Sequence, residues 1–392
     1  MSAVRVRTRT AVAALAVAAV AMSAATAHAD ARWTAADLTG VGDAALTGVT
    51  RVDGDTTWAY GVGVSQEGKT QPRTPLLLAR DDDEKSWRRI PMPAFTDRSN
   101  QISAISAVSE DDAWAVGLYE EARGAFLTQH WDGTEWQVVD APAPEGKQLS
   151  GAGLLDVSAR ASDDVWAVGW LIVVDSEVPH PDKPGGTIQE THAEAMIQHW
   201  DGEAWHLVPV PDETSLWTYS VTALADDDVW VSGYTSEDKP VMLHYDGSSW
   251  SRVPVPYDGV NGELIDLEAR GANDVWAAGR KLNDDEDTGH ALLAHWNGRS
   301  WKQVPAPADA GRVNDLTLAP GGVAVVGEQR DGTPYVRRLR DGRWSTPAVP
   351  QGGTDGRRFL MGAAWTPQGI TAVGYDAGAT GLPNPLLLTG GR

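Results

Sequence analysis

The stretch HWDGEAW at residues 199–205 decides the fold, because it recurs along the chain. Close copies are HWDGTEW at 130–136, HYDGSSW at 244–250 and HWNGRSW at 295–301. Asp-Gly between two short apolar runs is a strong hairpin signal, since such a turn needs positive φ, which glycine and, less readily, Asp or Asn supply. The string is therefore predicted to join the third and fourth strands of a repeated unit.

The histidines in these strings could instead belong to a catalytic or metal site, and two observations favour a structural role. The sixth unit reads RDGRW at 340–344 and lacks the histidine. Equivalent histidines of neighbouring units are four strands apart, roughly 15–20 Å at ~4.8 Å per strand, which is too far to share one metal. The histidines predicted to pack or hydrogen-bond are His130, His199, His244 and His295. The Asp-Asp pairs at 111–112, 163–164 and 227–228 are predicted turn residues, with calcium ligation as the alternative.

The whole repeat has a period near fifty residues and seven copies. Its second strand is marked by Trp58, Trp114, Trp166, Trp230 and Trp276, and by Ala324 and Thr371 in two degenerate copies. Each copy closes on a glycine, at Gly61, Gly117, Gly169, Gly233, Gly279, Gly327 and Gly374. Seven copies of four short strands predict an all-β, seven-bladed β-propeller with antiparallel blades. A parallel β-helix is the alternative, but its repeats are usually shorter.

The ring is predicted to close through the N-terminal part of the chain. The last copy ends in PLLLTGGR at 385–392, which supplies a third strand and no fourth. ARWTAADL at 31–38 has Trp33 in the place that Trp136 holds in its own unit. Residues near 32–38 are therefore expected to form the outer strand of the last blade.

Residues 1–29 have the features of a secretory signal peptide. Arg5, Arg7 and Arg9 precede an apolar run at 11–22, and Ala27-His28-Ala29 has the small-residue spacing of a cleavage site. A membrane anchor is the alternative, but the run is well short of the ~20 residues that span a bilayer. The expected organisation is a signal peptide at 1–29, a propeller at 30–392 and a secreted protein.

Composition limits the partners. Loss of residues 1–29 removes three arginines and no acid, which moves the net charge from −22 to −25. Repulsion then disfavours nucleic acid and anionic membrane surfaces. The chain has no cysteine and so no disulfide framework. We expect a monomer with no cofactor and no membrane insertion, whose partner is a glycan, a peptide or an extracellular protein.

The two faces of the predicted propeller differ. Loops joining strand two to three, and one blade to the next, share one face, here called the upper face; the DD and DG turns share the lower face. Lower turns repeat, whereas the residue after each closing glycine varies: Val62, Leu118, Trp170, Tyr234, Arg280, Glu328 and Tyr375. The aromatic members suit stacking on a sugar or another flat ligand, and Arg280 with Glu328 suits polar groups. The alternative is that these loop positions vary because no function constrains them.

The third blade carries an insertion between Trp170 and Ala195. It contains His180, Asp182, His192 and Glu194, a composition that could coordinate a metal. The spacing matches no tight ligand motif, and the prolines indicate a stiff extended loop that contacts a partner or acts as a lid. His180 and His192 are thus further candidate ligand-binding residues. The acidic run at 283–287 lacks the features of an EF-hand loop and is predicted to be solvated.

The unit D-D-V-W-A-V-G followed by H-W-D-G-x-x-W resembles repeats of secreted bacterial β-propellers in the broad kelch, galactose-oxidase-like and Asp-box neighbourhood. The resemblance covers nearly all of the chain after residue 29 and implies the fold; it carries over no catalytic residue. A binding or scaffold module is the predicted function. The alternative is a secreted carbohydrate-active or small-molecule lyase or hydrolase, with acid and base groups drawn from Glu120, His180, His192, Glu328 or Asp376.

Overall fold

The computed structural model describes residues 33–64, 73–93, 100–119, 126–181, 185–210, 216–282, 290–350, 352, 357–378 and 381–390. The predictions for the signal segment 1–29, Glu120, Asp182 and the acidic run 283–287 concern residues outside these ranges. The described part of the chain contains no helix that is long and apolar enough to cross a membrane.

Short strands follow one another along the described chain. In chain order they are β1 (Thr34–Ala35), β2 (Ala44–Arg51), β3 (Thr56–Val64), β4 (Arg73–Asp81), β5 (Arg88–Ile90), β6 (Asn100–Ser109), β7 (Asp112–Tyr119), β8 (Phe126–Trp131), β9 (Trp136–Val138), β10 (Leu149–Ala161), β11 (Asp164–Pro179), β12 (Thr187–Trp200), β13 (Trp205–Leu207) and β14 (Leu216–Ala225). The second half of the chain continues with β15 (Asp228–Thr235), β16 (Pro240–Tyr245), β17 (Trp250–Arg252), β18 (Gly262–Gly271), β19 (Asp274–Lys281), β20 (Ala291–Trp296), β21 (Trp301–Gln303), β22 (Ala310–Ala319), β23 (Gly322–Gln329), β24 (Pro334–Arg340), β25 (Arg343–Ser345), β26 (Arg358–Thr366), β27 (Gly369–Ala377) and β28 (Pro383–Gly390).

These strands form seven four-stranded sheets, which we call blades 1 to 7. Six blades are runs of four consecutive antiparallel strands, from β2–β5 in blade 1 to β22–β25 in blade 6, and blade 7 has the order β1-β28-β27-β26. The innermost strand of each blade contacts that of the next, and β26 contacts β2. The predicted seven-bladed β-propeller is confirmed.

The N-terminal strand completes the last blade, as predicted. Thr34 pairs with Thr389 and Ala35 with Leu388. The Ala36 amide then donates to the Leu387 carbonyl at 2.9 Å. A terminus that would otherwise be free is therefore held in a sheet.

Adjacent blades are joined by apolar cores in which tryptophans recur. A tryptophan at or just before the outer strand packs towards the preceding blade in every unit. In blade order these residues are Trp87, Trp136, Trp205, Trp250, Trp301, Trp344 and Trp33. Blade-to-blade stability thus depends on a large aromatic side chain repeated once per blade.

The closing glycines are required by a bulge in the innermost strand. Every innermost strand has a register shift at the same height, for example between Leu264 and Asp266 opposite Gly279. A Cβ on any closing glycine would lie 1.8–2.1 Å from a carbonyl oxygen of the innermost strand. Real Cβ atoms do not approach backbone that closely, so only glycine fits.

The insertion of blade 3 is not the predicted extended loop. The loop was expected between Trp170 and Ala195, but β11 runs to Pro179 and β12 begins at Thr187. Most of the insertion is therefore a two-stranded projection, because Pro179 stands in its last pair, opposite Thr187, and Pro181 lies in the turn. The outer strand of blade 3 is short, Trp205–Leu207, since Pro209 soon follows and cannot donate to a sheet.

Candidate functional site

The chemistry of the upper face comes from seven pairs of residues, which we call rim pairs. Each residue after a closing glycine lies opposite a residue of the innermost strand. From blade 1 to blade 7 the pairs are Ala45–Val62, Gln101–Leu118, Gly153–Trp170, Trp217–Tyr234, Glu263–Arg280, Arg312–Glu328 and Phe359–Tyr375. All seven differ, so each blade offers different groups to the upper face.

Blades 3 and 4 together carry four half-buried aromatic rings, which we call the aromatic cluster. Its members are Trp170, Trp217, Tyr219 and Tyr234. The centroids of Trp170 and Trp217 are 5.6 Å apart, and Tyr234 lies 6.1 Å from Trp217 and 5.7 Å from Tyr219. The rings stack on one another and are not separate platforms, so a ligand would meet one continuous aromatic surface.

Trp170 is seated on the backbone of β10. A Cβ on Gly151 would be 3.1 Å, and one on Gly153 3.4 Å, from atoms of the Trp170 ring. The two glycines leave room for the ring to lie across their strand. Trp170 is therefore partly a packing residue, and its removal affects stability as well as any binding.

Blades 5 and 6 carry two rim ion pairs. Arg280 Nε donates to Glu263 Oε1 at 2.5 Å, and Arg312 Nη2 donates to Glu328 Oε1 at 3.2 Å. Arg280 and Glu328, predicted to orient a ligand, are thus each neutralised within their own blade. The Tyr219 hydroxyl donates to Glu263 Oε2 at 3.3 Å, which joins the aromatic cluster to the pair in blade 5.

The rim phenols remain hydrogen-bond donors over a wide pH range. Burial raises the pKa of Tyr234, and the nearby Glu263 carboxylate raises it further. Burial and Glu263 act in the same direction on the pKa of Tyr219. Burial followed by the Glu328 charge raises the pKa of Tyr375. The upper face therefore presents neutral hydroxyl groups beside its ion pairs.

Blade 7 continues the rim with a stacked pair and a cavity. The Phe359 and Tyr375 rings are 4.8 Å apart and nearly parallel. A cavity of about 520 Å³ between blades 7 and 1 has Tyr375, Val62 and Leu382 in its lining. Its wall combines apolar side chains with the polar groups of Arg73 and Tyr375, which suits a ligand that carries both kinds of group.

Four carboxyl groups converge on the central channel beneath the rim: Asp156, Asp266, Glu268 and Asp315. They belong to blades 3, 5 and 6, yet their charges act on one another and on Tyr60 of blade 1 across the ring. Burial raises the pKa of Asp156 to about 6 and that of Glu268 to about 8. Burial also raises the pKa values of Asp266 and Asp315, whose carboxyls hydrogen-bond to each other.

Three of these carboxyls each link their own blade to the following one. They accept main-chain hydrogen bonds from the innermost strand of the following blade. The bonds are Val221 N to Asp156 (2.9 Å), Leu316 N to Asp266 (2.6 Å) and Ala363 N to Asp315 (2.6 Å). A framework role therefore accounts for three of the four acids, whereas Glu268 makes none of these bonds.

We expect the Glu268→Gln variant to gain stability over the wild type as pH rises from 5 to 9. Below pH about 4.5 the carboxyl is protonated in both folded and unfolded chains, and above it only the folded chain keeps the proton, so the wild type loses stability up to the folded pKa of about 8. Because the side chain keeps some contact with water in the channel, we expect a gain of roughly 2 kcal/mol at pH 9. Thermal melts at five pH values measure it, and a difference between the two proteins that is independent of pH would contradict the assignment.

The lower face repeats one arrangement, which we call the lock. In blade 3, Asp164 Oδ1 accepts from Trp166 Nε1 and bonds to His199 Nε2, both at 2.8 Å, and the His199 ring stacks on Trp166 at 4.3 Å. His244 and His295 bond to the equivalent aspartates at 2.8 and 2.7 Å, and His130 to Asp112 at 2.8 Å. The predicted packing role of the four histidines is confirmed.

The turns after the locks are built as predicted in position but not in detail. Asp132 Oδ1 accepts from the amides of Thr134 and Glu135 at 2.9 Å, and only Gly133 has positive φ. The aspartate acts through its side chain and not through its backbone angle. In the shorter turn of blade 6, both Asp341 and Gly342 have positive φ, 49° and 73°, because a two-residue loop requires it.

The projection of blade 3 places its histidines in an ion-pair network. His192 Nδ1 bonds to Asp175 at 2.8 Å and Nε2 to Glu194 at 3.0 Å, and Lys147 also pairs with Glu194. Hydrogen bonding to Glu194, helped by Asp175, raises the pKa of His192. His180 lies at the far end, where its amide donates to Gly186. Among the described residues no group of three or more His, Asp or Glu is arranged to hold a metal.

Three described acid and base candidates of the alternative function, Glu328, Asp376 and His192, are each bonded to partners of their own blade. Glu328 pairs with Arg312 in blade 6, whereas Asp376 in blade 7 accepts from Arg358 at 2.7 and 2.9 Å. His180 and His192 belong to the projection of blade 3. These groups occupy three different blades, and each blade supplies its own partners.

Several rim residues were missed by sequence reasoning: Trp217, Tyr219, Glu263, Arg312 and Phe359. A fixed offset could have found most of them. The innermost member of each rim pair stands 17 residues before its partner in blades 1 to 5, for example 234 − 217 = 17, and 16 before it in blades 6 and 7. Tyr219 is different, because it lies at the bulge of β14.

Comparisons with known proteins support the fold. No protein-family model matches the sequence, and no curated protein is significantly similar to it. YCF48 from Cyanidioschyzon merolae is similar in structure, with a TM-score of 0.53 at 12% identity over 92% of this chain and 98% of that one. Pyrococcus horikoshii acylaminoacyl peptidase has a TM-score of 0.53 at 13% identity over 88% of this chain and 51% of that one. The phage phi92 endosialidase has a TM-score of 0.51 at 13% identity over 92% and 69%. These likenesses to β-propeller proteins show the fold alone.

Proposed function

We propose that the protein is an exported binding module that recognises a glycan, a peptide or an extracellular protein through its upper face. The observation that carries the proposal is the contrast between seven different rim pairs above and the His–Asp bond of the lock, which is repeated in four blades below. A framework needs sameness, whereas recognition needs varied groups at one surface. The aromatic cluster is the centre of the proposed site.

The lower face is less suited to a ligand because its polar groups already hydrogen-bond to one another. In the lock of blade 3, Asp164 bonds to Trp166, His199 and Arg160. Hydrogen bonds from the imidazole and the guanidinium outweigh the effect of burial and lower the pKa of Asp164. The upper rim offers neutral phenols, indole edges and two ion pairs, which suit neutral or cationic partners of an acidic protein.

The proposal also covers the secretion of the protein and the class of β-propellers to which it belongs. The basic, apolar and small-residue pattern of residues 1–29 supports secretion. We also propose the kelch, galactose-oxidase-like and Asp-box neighbourhood as the class of the chain, on the DG turns and closing glycines. Expression with and without residues 1–29, followed by assay of the culture medium, tests the localisation.

Replacing Trp170 by alanine should weaken binding at least tenfold, while Trp200→Ala leaves it nearly unchanged. Both are half-buried tryptophans of blade 3, one on each face, so the second is a matched control for lost packing. A glycan array and a peptide array on the mature protein supply the ligand, and titrations are made below the melting temperature of both variants. Equal loss in the two variants, or loss only in Trp200→Ala, would contradict the proposed face.

A second candidate function follows from the channel acids. Asp266 and Asp315 share a hydrogen bond, and Glu268 has a pKa of about 8, so proton transfer could take place there. A carbohydrate lyase or hydrolase that uses this channel should lose activity in Glu268→Gln at pH 6, where the melt of the variant shows that it is folded. Undiminished turnover of a polysaccharide substrate by that variant would exclude the channel as the reaction site.

A further inference from the structure

The projection of blade 3, which we call the arm, has no counterpart among the described residues of the other blades. Its strands β11 and β12 contain 16 and 14 residues, whereas the equivalent strands of blade 4, β15 and β16, contain 8 and 6. The network of His192, Asp175, Glu194 and Lys147 ties the two strands together and to the segment before β10. The arm is therefore held in place before any partner arrives.

The two edges of the arm differ. Near the body, β10 covers the edge of β11 up to Val173, and the Val174 amide donates to Gln148. Beyond this point a bulge at Asp175 and a proline at 179 interrupt the edge of β11. Bulges and prolines are the usual protection of an exposed strand edge. The edge of β11 is thus covered or blocked along its length.

The outer edge of β12 lacks that protection. The outer strand β13 pairs only with Gln198, His199 and Trp200, and the Val208 amide donates to the Ile197 carbonyl. Since Ile197 points its carbonyl outward and β12 has no bulge, Gln189, Thr191 and Ala193 also point their amides and carbonyls outward. No described residue forms a backbone hydrogen bond to this side of β12 from 187 to 196, and none of the three carries a charge or a proline ring.

The side chains beside this edge combine acid and apolar groups. Glu190 is exposed on the face that also carries Ile188. Ile188 is 41% exposed, and Val138 is the other large apolar side chain exposed among the described residues. Glu177 and Asp175 add negative charge on the neighbouring strand. An added strand would therefore meet a carboxylate and an aliphatic side chain two residues apart on one face.

We propose that the outer edge of β12, from Thr187 to Ala195, docks an extended peptide segment of a partner as an additional strand. Main-chain hydrogen bonds to Gln189, Thr191 and Ala193 would hold the segment. A lysine or arginine would lie beside Glu190, and an aliphatic residue two positions away would lie beside Ile188. A second copy of this chain fits less well, because each copy carries a net charge of −22 or more negative. The arm is distinct from the aromatic cluster, so this site goes beyond the proposed function.

The test uses a capped, dye-labelled peptide, Thr-Val-Thr-Lys-Thr-Val-Thr-Lys, and the same peptide N-methylated at alternate amides. N-methylation keeps composition and charge but removes the donors that strand addition needs. Fluorescence anisotropy on the mature protein should show at least tenfold weaker binding of the methylated peptide. Equal binding of both peptides would show attraction to a general acidic surface and would overturn the proposal.

Variants of the arm sharpen the test. Thr191→Pro removes an outward amide, which an edge position tolerates, and should weaken the peptide at least tenfold with an unchanged melt. Glu190→Lys should also weaken it, whereas Glu203→Lys makes the same charge change in the exposed lower turn of the same blade and should have little effect. Two results would refute the proposal. One is peptide binding that Thr191→Pro leaves intact. The other is self-association of the wild type, without any peptide binding, that Thr191→Pro abolishes. Tyr234→Ala, which changes the aromatic cluster in blade 4, should leave the peptide bound, which separates this site from the upper rim.

Discussion

Replacing Gly279 with alanine is expected to destabilise the protein by about 3 kcal/mol or more. A Cβ at this position would lie 2.0 Å from the Glu263 carbonyl oxygen and 2.9 Å from the Leu264 Cα. Both are backbone atoms of the bulged innermost strand, so neither can rotate away as a flexible side chain would. The sheet of blade 5 must deform, and chemical denaturation gives the cost.

Gly271→Ala is the matched control, since this glycine lies in the same blade. No atom is within 4 Å of its added Cβ, and its φ is not in the left-handed region. Its stability should change by less than about 1 kcal/mol. Comparable losses in the two variants would mean that the strands of blade 5, and not the close approach at the bulge, need the flexibility of glycine.

Removing residues 1–38 should cost at least about 3 kcal/mol relative to a chain that begins at Ala31. The truncation removes Trp33 from the core between blades 6 and 7, and Ala36 and Leu38 from the core between blades 7 and 1. It also exposes the edge of β28, which pairs with Thr34 and Ala35. Blade 7 would then have three strands.

The chain that begins at Ala31 separates this effect from loss of the preceding segment. A synthetic peptide of residues 31–42 added to the truncated protein should restore part of the lost stability, because it can re-form the missing strand. If the truncated protein and the Ala31 chain melted at the same temperature, the outer strand of blade 7 would have no role in closure.

Repetition made the fold readable from sequence. Trp33 matches the tryptophan that opens other outer strands, and this match indicated how the ring closes. RDGRW at 340–344 lacks a histidine, which indicated that the repeated histidines are structural and not catalytic. Both inferences compare one copy with its siblings. They need no knowledge of contacts between blades.

The site was harder to predict because it depends on contacts between strands and blades. Trp217 stands beside Tyr234 only through the register of β14 and β15, and Tyr219 lies in the bulge of β14, where it has no paired residue in β15. Asp266 and Asp315 meet across two blades. The arm was mistaken for a loop because Pro179 and Pro181 flank a turn and do not interrupt a pair.

Titration of one ligand into three proteins shows whether the varied upper rim binds the ligand while the repeated lower face supports the fold. These are the wild type, Tyr234→Ala and His199→Ala, each shown to be folded by its melt. We expect about 1–3 kcal/mol weaker binding in Tyr234→Ala and unchanged binding in His199→Ala. A folded His199→Ala protein that no longer binds, beside a Tyr234→Ala protein that binds as the wild type does, would contradict it.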